Sequence, residues 1–487
     1  MSKDIASLEP KSLWKNFTLL NEVPRPSKKE ERVIAFAKAF GENLGLETSV
    51  DAVGNVLIKK PASSGMENRT KLVLQSHLDM VHQKNNDTKF DFDKEGIKMF
   101  IDGDWVKAEG TTLGADNGIG VASIMALLES TDIAHPAFEA LFTIDEETGM
   151  TGAFGLQPGF LDGKILLNLD TEDDDELTIG CAGGINVSAE KEYSETNVPN
   201  GHKTYFIKIS GLSGGHSGMD IIKGLGNANK LMNRLLYQLD QNLNLGIHKI
   251  NGGGLRNAIP RESEVIITID PENVSVLKEV AKRFENNVRA EHEVTDPDFK
   301  FELKETTAVT KIAAKDFSSK LLRALYAVPN GIYRMSSTVQ GMVQTSNNVA
   351  QVKMEGGKFE CLSLCRSSID SEKEDEVRAI RSAFAVLGAK VSSDGDYPGW
   401  TPRPKSDIVD LMSGLYTEMF NEKAHVMACH AGLECGIIGS NYPDMDMVSF
   451  GPNIRGAHSP DEKVQISSVQ KYWNFLLETL KRIPVAS

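Results

Sequence analysis

The stretch Leu72-Val73-Leu74-Gln75-Ser76-His77-Leu78-Asp79 indicates how this chain folds, because an apolar strand pattern leads directly to a histidine and an aspartate. The run Ala140-Leu141-Phe142 precedes Asp145-Glu146-Glu147 in the same way. A third run, Ile165-Leu166-Leu167, precedes Asn168-Leu169-Asp170. Carboxylates and imidazoles beside such runs are costly unless they are paired or bound to a cation. The pattern therefore predicts buried strands whose ends converge on one polar site.

Helical patterns alternate with these strands. Residues 29–45 form an amphipathic pattern, and residues 117–130 are apolar almost all round, which is typical of a buried helix. This alternation predicts an α/β fold with a mostly parallel sheet and helices on both faces. Sites in such sheets lie beyond the carboxyl ends of the strands. We expect His77, Glu147 and Asp170 at that edge, with Asp116 just before a helix.

The pattern changes after Gly183-Gly184. Residues 187–395 can be read as two successive units of one strand, one helix, two strands and one helix, including a helix over residues 221–239, although no residue-level identity relates the two units. The α/β pattern returns after Pro398-Gly399-Trp400-Thr401-Pro402. We therefore predict one domain formed by residues 1–186 and 397–487, interrupted by an inserted α+β domain over residues 187–396.

Composition narrows the class of protein. The length of 487 residues predicts two or more domains, and the net charge of -15 argues against nucleic acid or an anionic membrane as a partner. No apolar run approaches the roughly 18 to 20 residues that span a bilayer. Met1-Ser2-Lys3-Asp4 lacks the apolar region of a secretory signal. The five cysteines form neither a CxxC pair nor a disulfide framework, which favours reduced thiols in a cytoplasmic protein.

Three candidate residues have alternative interpretations when each is taken alone. His77 and Asp79 fall on the same side of a strand end, where Asp79 could orient a ligating imidazole, but this short pattern is common. Asp116 could bind a metal or cap the helix that follows it. Context favours ligation, because the separate strand ends are expected to meet.

The acidic segments add a base and further ligands. Glu146 and Glu147, as neighbours at a strand end, should point to opposite faces, so that one binds metal and the other acts as a general base; a solvated acidic turn is the alternative. Asp170 opens an acidic run without the spacing of an EF-hand loop, so we expect Asp170 to be a ligand and most later acids to be solvated, with Glu172 ambiguous. His458, in a loop rich in glycine and proline, is either a ligand or a surface residue. Two histidines and three carboxylates suit two Zn²⁺-like ions that share one carboxylate.

The inserted segment carries its own polar residues. His216 lies in the glycine-rich turn Gly211-Leu212-Ser213-Gly214-Gly215-His216-Ser217-Gly218, with no nearby partner for zinc. Asn257 and Arg366 add an amide and a guanidinium. A dipeptide-like molecule needs donors for a developing oxyanion and for its terminal carboxylate, and His216 and Arg366 fit those two needs.

Together these segments resemble one family. The chain is similar to the di-zinc aminoacylase/carboxypeptidase/dipeptidase superfamily and, within it, to the aminoacyl-histidine dipeptidase (Xaa-His dipeptidase, carnosinase-like) branch, over nearly its full length. The motifs that carry this resemblance occur in the right order and spacing: SHLDM (76–80), GADNGIG (114–120), TIDEETGMTGA (143–153), LNLDTED (167–173), GGHSGMDI (214–221), NAIPR (257–261), AGLECG (431–436) and AHSPDE (457–462).

The resemblance implies two Zn²⁺ ions per chain, with Co²⁺ or Mn²⁺ as substitutes. It implies a catalytic domain with a lid, and it implies a role for each of ten residues. His77 and Asp170 would bind one ion, Glu147 and His458 the other, and Asp116 would bridge them. Asp79 would orient a ligand, Glu146 would be the general base, and His216, Asn257 and Arg366 would contact substrate. Glu434 is expected to be either structural or on the substrate side.

The implied activity is that of a di-zinc metallodipeptidase. Dipeptides, preferentially Xaa-His such as β-alanyl-histidine, would be hydrolysed by a metal-bridged water with a glutamate as general base. An acylamino-acid deacylase or a carboxypeptidase of the same superfamily is the alternative, and a non-catalytic peptide-binding protein is a remote one. A homodimer is left open, because a duplicated insertion would let His216 serve its own chain, whereas a single unit would need a partner subunit.

Overall fold

A computed structural model describes residues 5–403 and 405–486, so the prediction about Met1-Ser2-Lys3-Asp4 lies outside the described residues. The chain divides into two compact units. The first contains the described residues up to Gly180, together with Pro402–Ala428 and Leu433 onward. The second contains Cys181–Thr401 and Cys429–Gly432. Among the described helices, none is both long enough and apolar enough to cross a membrane.

An eight-stranded sheet organises the first unit. Its strands, in the order in which they lie side by side, are Glu47–Val50, Val56–Lys60, Phe138–Thr143, Leu72–His77, Ile165–Asn168, Asp446–Ser449, Glu176–Cys181 and His425–Cys429. The four strands from Phe138–Thr143 to Asp446–Ser449 are parallel to one another. The strands Val56–Lys60 and Glu176–Cys181, on either side of these four, pair with them in antiparallel fashion.

The composition of the central strands explains their position. Leu72–His77, Phe138–Thr143 and Ile165–Asn168 are buried at every residue. Continuous apolar runs are expected where both faces of a parallel sheet are covered. The α/β class predicted from these runs is therefore confirmed.

Helices pack with this sheet around one apolar core. The helix Ala115–Glu129 is buried along nearly all of its length, as its apolar pattern predicted, and it packs against Lys11–Asn21 and the strand Leu72–His77. The α-helices of this unit are Lys11–Asn21, Glu31–Asn43, Ala115–Glu129, Glu146–Gly149, Thr151–Gly155, Asp407–Phe420, Glu434–Asn441 and Ile466–Arg482, and Ile5–Ser7 is a 3₁₀ turn. A separate small sheet contains Ile454–Arg455, Lys463–Gln465, Trp105–Ala108 and Met99–Asp102, in that order.

The second unit is an antiparallel sheet with helices packed on its own apolar core. Its strands, in order, are Lys300–Glu305, Lys203–Ser210, Ser263–Ile269, Gly246–Gly253, Val343–Glu355, Lys358–Ser367, Gly183–Glu192 and Lys390–Tyr397, with Gly331–Met335 paired to Val343–Glu355. Two short pairs are Glu195–Asn197 with Lys311–Ala313 and Gly215–His216 with Ala258–Ile259. Its α-helices are Ala228–Asn242, Val274–Glu291, Lys315–Ala327 and Asp370–Ala385. Its 3₁₀ turns are Ile221–Lys223 and Pro271–Asn273. The predicted α+β class of the inserted segment is confirmed.

The helix predicted over residues 221–239 is wrong in its first part. Ile221–Lys223 is a 3₁₀ turn, and Gly224, with a left-handed φ of 68°, ends it. The α-helix begins only at Ala228. The side chain of Asn227 caps it by accepting hydrogen bonds from the backbone N–H groups of Asn229 and Lys230. A left-handed glycine followed by an asparagine cap favours a fresh helix start over a continuous helix.

Candidate functional site

The first unit brings the five predicted metal ligands together. His77 is the last residue of its strand, and Asp170 lies two residues beyond the strand Ile165–Asn168. Asp116 lies in the first turn of the helix Ala115–Glu129. The other two are Glu147, in a helical turn after Phe138–Thr143, and His458, in the loop after Ile454–Arg455.

Asp116 lies between the two histidines. Its Oδ1 is 3.2 Å from His77 Nε2, and its Oδ2 is 3.2 Å from His458 Nε2. Asp170 Oδ1 lies 3.5 Å from His77 Nε2, and Glu147 Oε2 lies 3.0 Å from His458 Nε2. Two candidate ligand groups therefore share Asp116. One also contains His77 and Asp170, and the other contains Glu147 and His458. Within each group the donor atoms lie within 4.8 Å of one another.

Poorly satisfied buried oxygens indicate that this cluster fits metal ions. Glu147 Oε1 is buried and forms no hydrogen bond within the part of the chain that the structure describes, and the buried Asp170 Oδ1 has a long contact of 3.5 Å to His77 Nε2. A buried carboxylate oxygen without a partner is costly, and coordination of a cation removes that cost. The donors are imidazole nitrogens and carboxylate oxygens, a set that suits Zn²⁺ and related divalent ions.

The electrostatics of the cluster favour added positive charge. Hydrogen bonds from His458 to Asp116 and Glu147 raise its pKa to about 11. Burial opposes protonation of His77, but the carboxylates of Asp170 and Asp116 outweigh it, so that its pKa is raised well above the usual value. Burial raises the pKa of Asp170 to about 6. Closely spaced carboxylates of this kind attract positive charge, whether it is a proton on an imidazole or a divalent cation.

Asp79 connects the ligand strand to the glutamate turn. Its Oδ1 lies 3.3 Å from His77 Nδ1 and accepts a hydrogen bond from the backbone N–H of Glu146 at 3.0 Å. Its Oδ2 accepts from Ser27 Oγ at 2.8 Å and from the N–H of Glu147 at 3.3 Å. Asp79 therefore orients the His77 ring through Nδ1, while Nε2 faces Asp116. It also fixes the backbone of Glu146 and Glu147.

The two glutamates are not at a strand end, which corrects the expected opposite-face geometry. Asp145 has a left-handed φ of 53°, and Glu146 and Glu147 form the first turn of the helix Glu146–Gly149. Both still face the cluster, because one donor atom of each lies within 4.8 Å of His77. Burial raises the pKa of Glu146 well above its usual value, and the nearby charges of Asp170 and Glu147 add to this rise.

The capping alternative for Asp116 is wrong. Asp116 and Asn117 have non-helical backbone angles at this helix start, and the first N–H groups, including those of Ala115 and Asp116, donate to the Glu462 carboxylate instead. The Asp116 carboxylate instead contacts the two histidines, whose hydrogen bonds outweigh the effect of burial and lower its pKa. The helix start serves to present this carboxylate to the cluster.

A second polar cluster lies within the second unit. Arg366 Nη2 is 3.5 Å from His216 Nε2, and Arg366 Nη1 donates to Tyr397 Oη at 3.0 Å. Arg366 Nε is buried without a hydrogen-bond partner among the described residues. Asn257 lies beside His216, because the strands Gly215–His216 and Ala258–Ile259 pair and the Asn257 carbonyl accepts from Ser217 N–H at 2.8 Å. The three residues predicted for substrate contact therefore lie in one neighbourhood of this unit.

Comparison with known proteins identifies the family. The model of peptidase family M20/M25/M40 matches residues 73–482. The chain belongs to this family. It is 44% identical over 483 residues, 99% of each protein, to the cytosol non-specific dipeptidase of Escherichia coli (strain K12). The solved aminoacylhistidine dipeptidase from Vibrio alginolyticus is similar with a TM-score of 0.94 and 43% identity over 100% of this chain and 99% of that one. The aminopeptidase PepT from Bacillus cereus shares only the fold, with a TM-score of 0.56 and 15% identity over 98% and 99% of the two chains.

Membership of the M20/M25/M40 family confirms the resemblance inferred from the motifs.

His430 is a buried histidine that the sequence motifs did not predict as a site residue. This histidine lies in the second unit, where its Nε2 is 2.7 Å from Ser346 Oγ. Burial and the positive charge of Arg366 lower its pKa to about 3, so the ring is neutral. Its position directly before the AGLECG motif (431–436) was the available signal.

Glu434 is part of the support beneath the strand ends of the first unit. It is fully buried and accepts hydrogen bonds from Gln75 Nε2 at 2.7 Å and Thr143 Oγ1 at 2.6 Å. Asn168 Nδ2 donates in turn to Gln75 Oε1 at 2.5 Å. These contacts connect three neighbouring strands just before their functional ends, which favours the structural alternative for Glu434.

Proposed function

We propose that this chain is a metal-dependent dipeptidase whose substrates are dipeptides with a free amino group, Xaa-His dipeptides such as β-alanyl-histidine among them. The observation that carries the proposal is the double ligand cluster around Asp116, found in a chain whose full-length relatives are named as dipeptidases. We place the reaction in the cytoplasm, in line with the name of the Escherichia coli relative and the five free cysteines.

We assign two divalent ions, with Zn²⁺ as the first candidate and Co²⁺ or Mn²⁺ as substitutes. His77 and Asp170 would hold one ion, Glu147 and His458 the other, and Asp116 would bridge the pair. Such a pair of ions lowers the pKa of a shared water and polarises the scissile carbonyl. The buried Glu147 Oε1, which forms no hydrogen bond to a described residue, supports these assignments, as does the buried Asp170 Oδ1, which lies 3.5 Å from His77 Nε2.

Glu146 is assigned as the general base. It accepts a proton from the attacking water and returns it to the nitrogen of the leaving amino acid. Its burial supports this role, because a carboxylate removed from bulk water holds a proton more strongly. Asp79 fixes the Glu146 backbone and the His77 ring, and it takes no proton itself.

The second unit is assigned as the substrate-binding lid. Arg366 would bind the carboxylate of the dipeptide through its guanidinium, whose Nε forms no hydrogen bond to a described residue. His216 would stabilise the oxyanion that develops at the carbonyl, with Asn257 beside it as a further donor. A guanidinium in this role would select for a free terminal carboxylate.

A substrate panel tests the proposal directly. The enzyme reconstituted with Zn²⁺ is assayed on β-alanyl-histidine, other dipeptides, a tripeptide and N-acetyl-amino acids, with the Glu146→Gln variant as a matched inactive control. We expect cleavage of dipeptides, loss of that cleavage in the variant, and little cleavage of the other classes. Faster cleavage of N-acetyl-amino acids would instead identify a deacylase.

A further inference from the structure

Glu462 makes an unusual set of contacts in the first unit. Its Oε2 accepts hydrogen bonds from the backbone N–H groups of Leu113 at 2.7 Å and Gly114 at 2.9 Å. Its Oε1 accepts from Ala115 at 2.7 Å and Asp116 at 3.2 Å. One carboxylate, only 3% exposed, therefore binds four consecutive N–H groups of the loop that ends in Asp116.

Glu462 also belongs to the loop of His458. Its own N–H donates to the carbonyl of Ser459 at 3.1 Å, which closes a turn next to the histidine. The side chain thus connects the segment that carries His458 to the segment that carries Asp116, although 346 positions separate Glu462 from Asp116.

Arg25 binds the opposite side of the same loop. Its Nη2 donates to the carbonyl of Gly114 at 2.6 Å, while its Nη1 donates to the carbonyls of Leu78 at 3.1 Å and Asp79 at 3.0 Å. These two carbonyls follow His77 directly. Arg25 is 1% exposed, so its charge-assisted bonds are shielded from water.

Gly114 shows how closely the loop is enclosed. Its φ is +69°, and a Cβ at this position would lie 2.5 Å from Arg25 Nη2 and 2.8 Å from Met80 Sδ. The N–H of Gly114 binds Glu462 and its C=O binds Arg25. The backbone just before Asp116 is therefore held by hydrogen bonds from both sides.

We propose that Arg25 and Glu462 are positioning residues that hold three ligand segments in register, so that Asp116 can bridge two ions. This inference rests on the proposed di-metal function. The two residues have opposite charges and act on the backbone, leaving the side chains of His77, Asp116 and His458 free to coordinate. Preorganised ligands bind a metal ion more tightly, because less conformational freedom is lost on binding.

Glu462→Gln tests most directly whether both carboxylate oxygens are needed. The amide keeps the size of the side chain but has only one acceptor oxygen, and its NH₂ group would face two N–H donors. Glu462→Asp keeps the charge but is one methylene shorter, so it cannot reach all four N–H groups. Asp461→Asn is the matched control, because Asp461 is the neighbouring residue and is exposed, while the four loop N–H groups donate to Glu462.

The readouts are metal binding and thermal unfolding of the chelated and the Zn²⁺-loaded proteins. We expect wild type and Asp461→Asn to bind two ions. Glu462→Gln should bind the weaker ion at least about tenfold less tightly, which is the lower end of the range for loss of a residue that supports metal ligands. The affinity of Glu462→Asp should be intermediate. The rise in Tm on adding Zn²⁺ should be smaller in Glu462→Gln than in wild type.

Three outcomes separate the possible failures. A folded Glu462→Gln protein that binds two ions with wild-type affinity would overturn the positioning role, even if both Tm values fell equally. If Glu462→Gln does not fold, the metal affinity of Glu462→Asp is compared with that of wild type in the same way. The metal affinity of Arg25→Lys tests the support on the opposite side of the loop. A wild-type protein that binds no metal would contradict the proposed function itself.

Discussion

His77 and His458, from opposite ends of the chain, direct their Nε2 atoms at the same carboxylate, each 3.2 Å from a different oxygen of Asp116. A carboxylate shared in this way by two imidazoles has the geometry that a bridging ligand needs. Removal of metal should therefore abolish activity completely. We expect exhaustive chelation to leave less than about 1% of turnover, and Zn²⁺, Co²⁺ or Mn²⁺ to restore it, as measured by dipeptide hydrolysis before and after reconstitution.

Replacement of the general base should separate catalysis from metal binding. Glu146→Gln should lower kcat by at least about a hundredfold, because the amide cannot accept the proton of the attacking water. Metal content by elemental analysis should stay at the wild-type level. Glu31→Gln, at an exposed helical position, is the control. Near-normal turnover in Glu146→Gln would remove this residue from the role.

The proposed role of Arg366 in substrate binding predicts a different kinetic pattern. Arg366→Met should lower kcat/KM for a dipeptide by at least about thirtyfold, since loss of a buried charge-assisted pair costs about 2 kcal/mol or more. Zinc content should not change. Arg378→Met is a fair comparison, because Arg378 is an exposed arginine that pairs with Glu374. Equal kcat/KM values for the two variants would show that Arg366 does not bind the substrate.

A buried acid in the second unit predicts a pH dependence of stability. Glu376 is fully buried, neither of its carboxylate oxygens forms a hydrogen bond to a described residue, and burial raises its pKa to about 8. The folded state therefore holds a proton that the unfolded state releases above its ordinary pKa of about 4.5. The contribution of this proton to the free energy of unfolding is complete below pH 4.5. It is lost as the pH rises towards 8, at on the order of 1 kcal/mol per pH unit.

Glu376→Gln should flatten this dependence, because the amide is neutral at every pH. Calorimetric scans of both proteins from pH 6 to pH 8 measure the effect. The fall in the free energy of unfolding over that range should be smaller in the variant. Parallel curves for the two proteins would mean that Glu376 is charged, or solvated, in the folded state.

Much of the fold and the metal cluster could be predicted because the signals are local. Apolar runs specify buried strands, and the residues that follow them fall at one edge of a parallel sheet, which places His77 and Asp170 together. The helical turn of Glu146 could not be predicted in this way, because it depends on the left-handed conformation of Asp145, which has no apolar signal. The roles of Arg25 and Glu462 could not be predicted either, although Glu462 ends the AHSPDE motif, because their partners are backbone atoms distant in the sequence.

The most direct test is a crystal structure of the Zn²⁺-loaded enzyme with anomalous data at the zinc edge. The proposed di-metal site predicts two anomalous peaks about 3.5 to 4 Å apart, with Asp116 bound to both, His77 and Asp170 bound to one, and Glu147 and His458 bound to the other. A single peak, or peaks away from these five side chains, would contradict it.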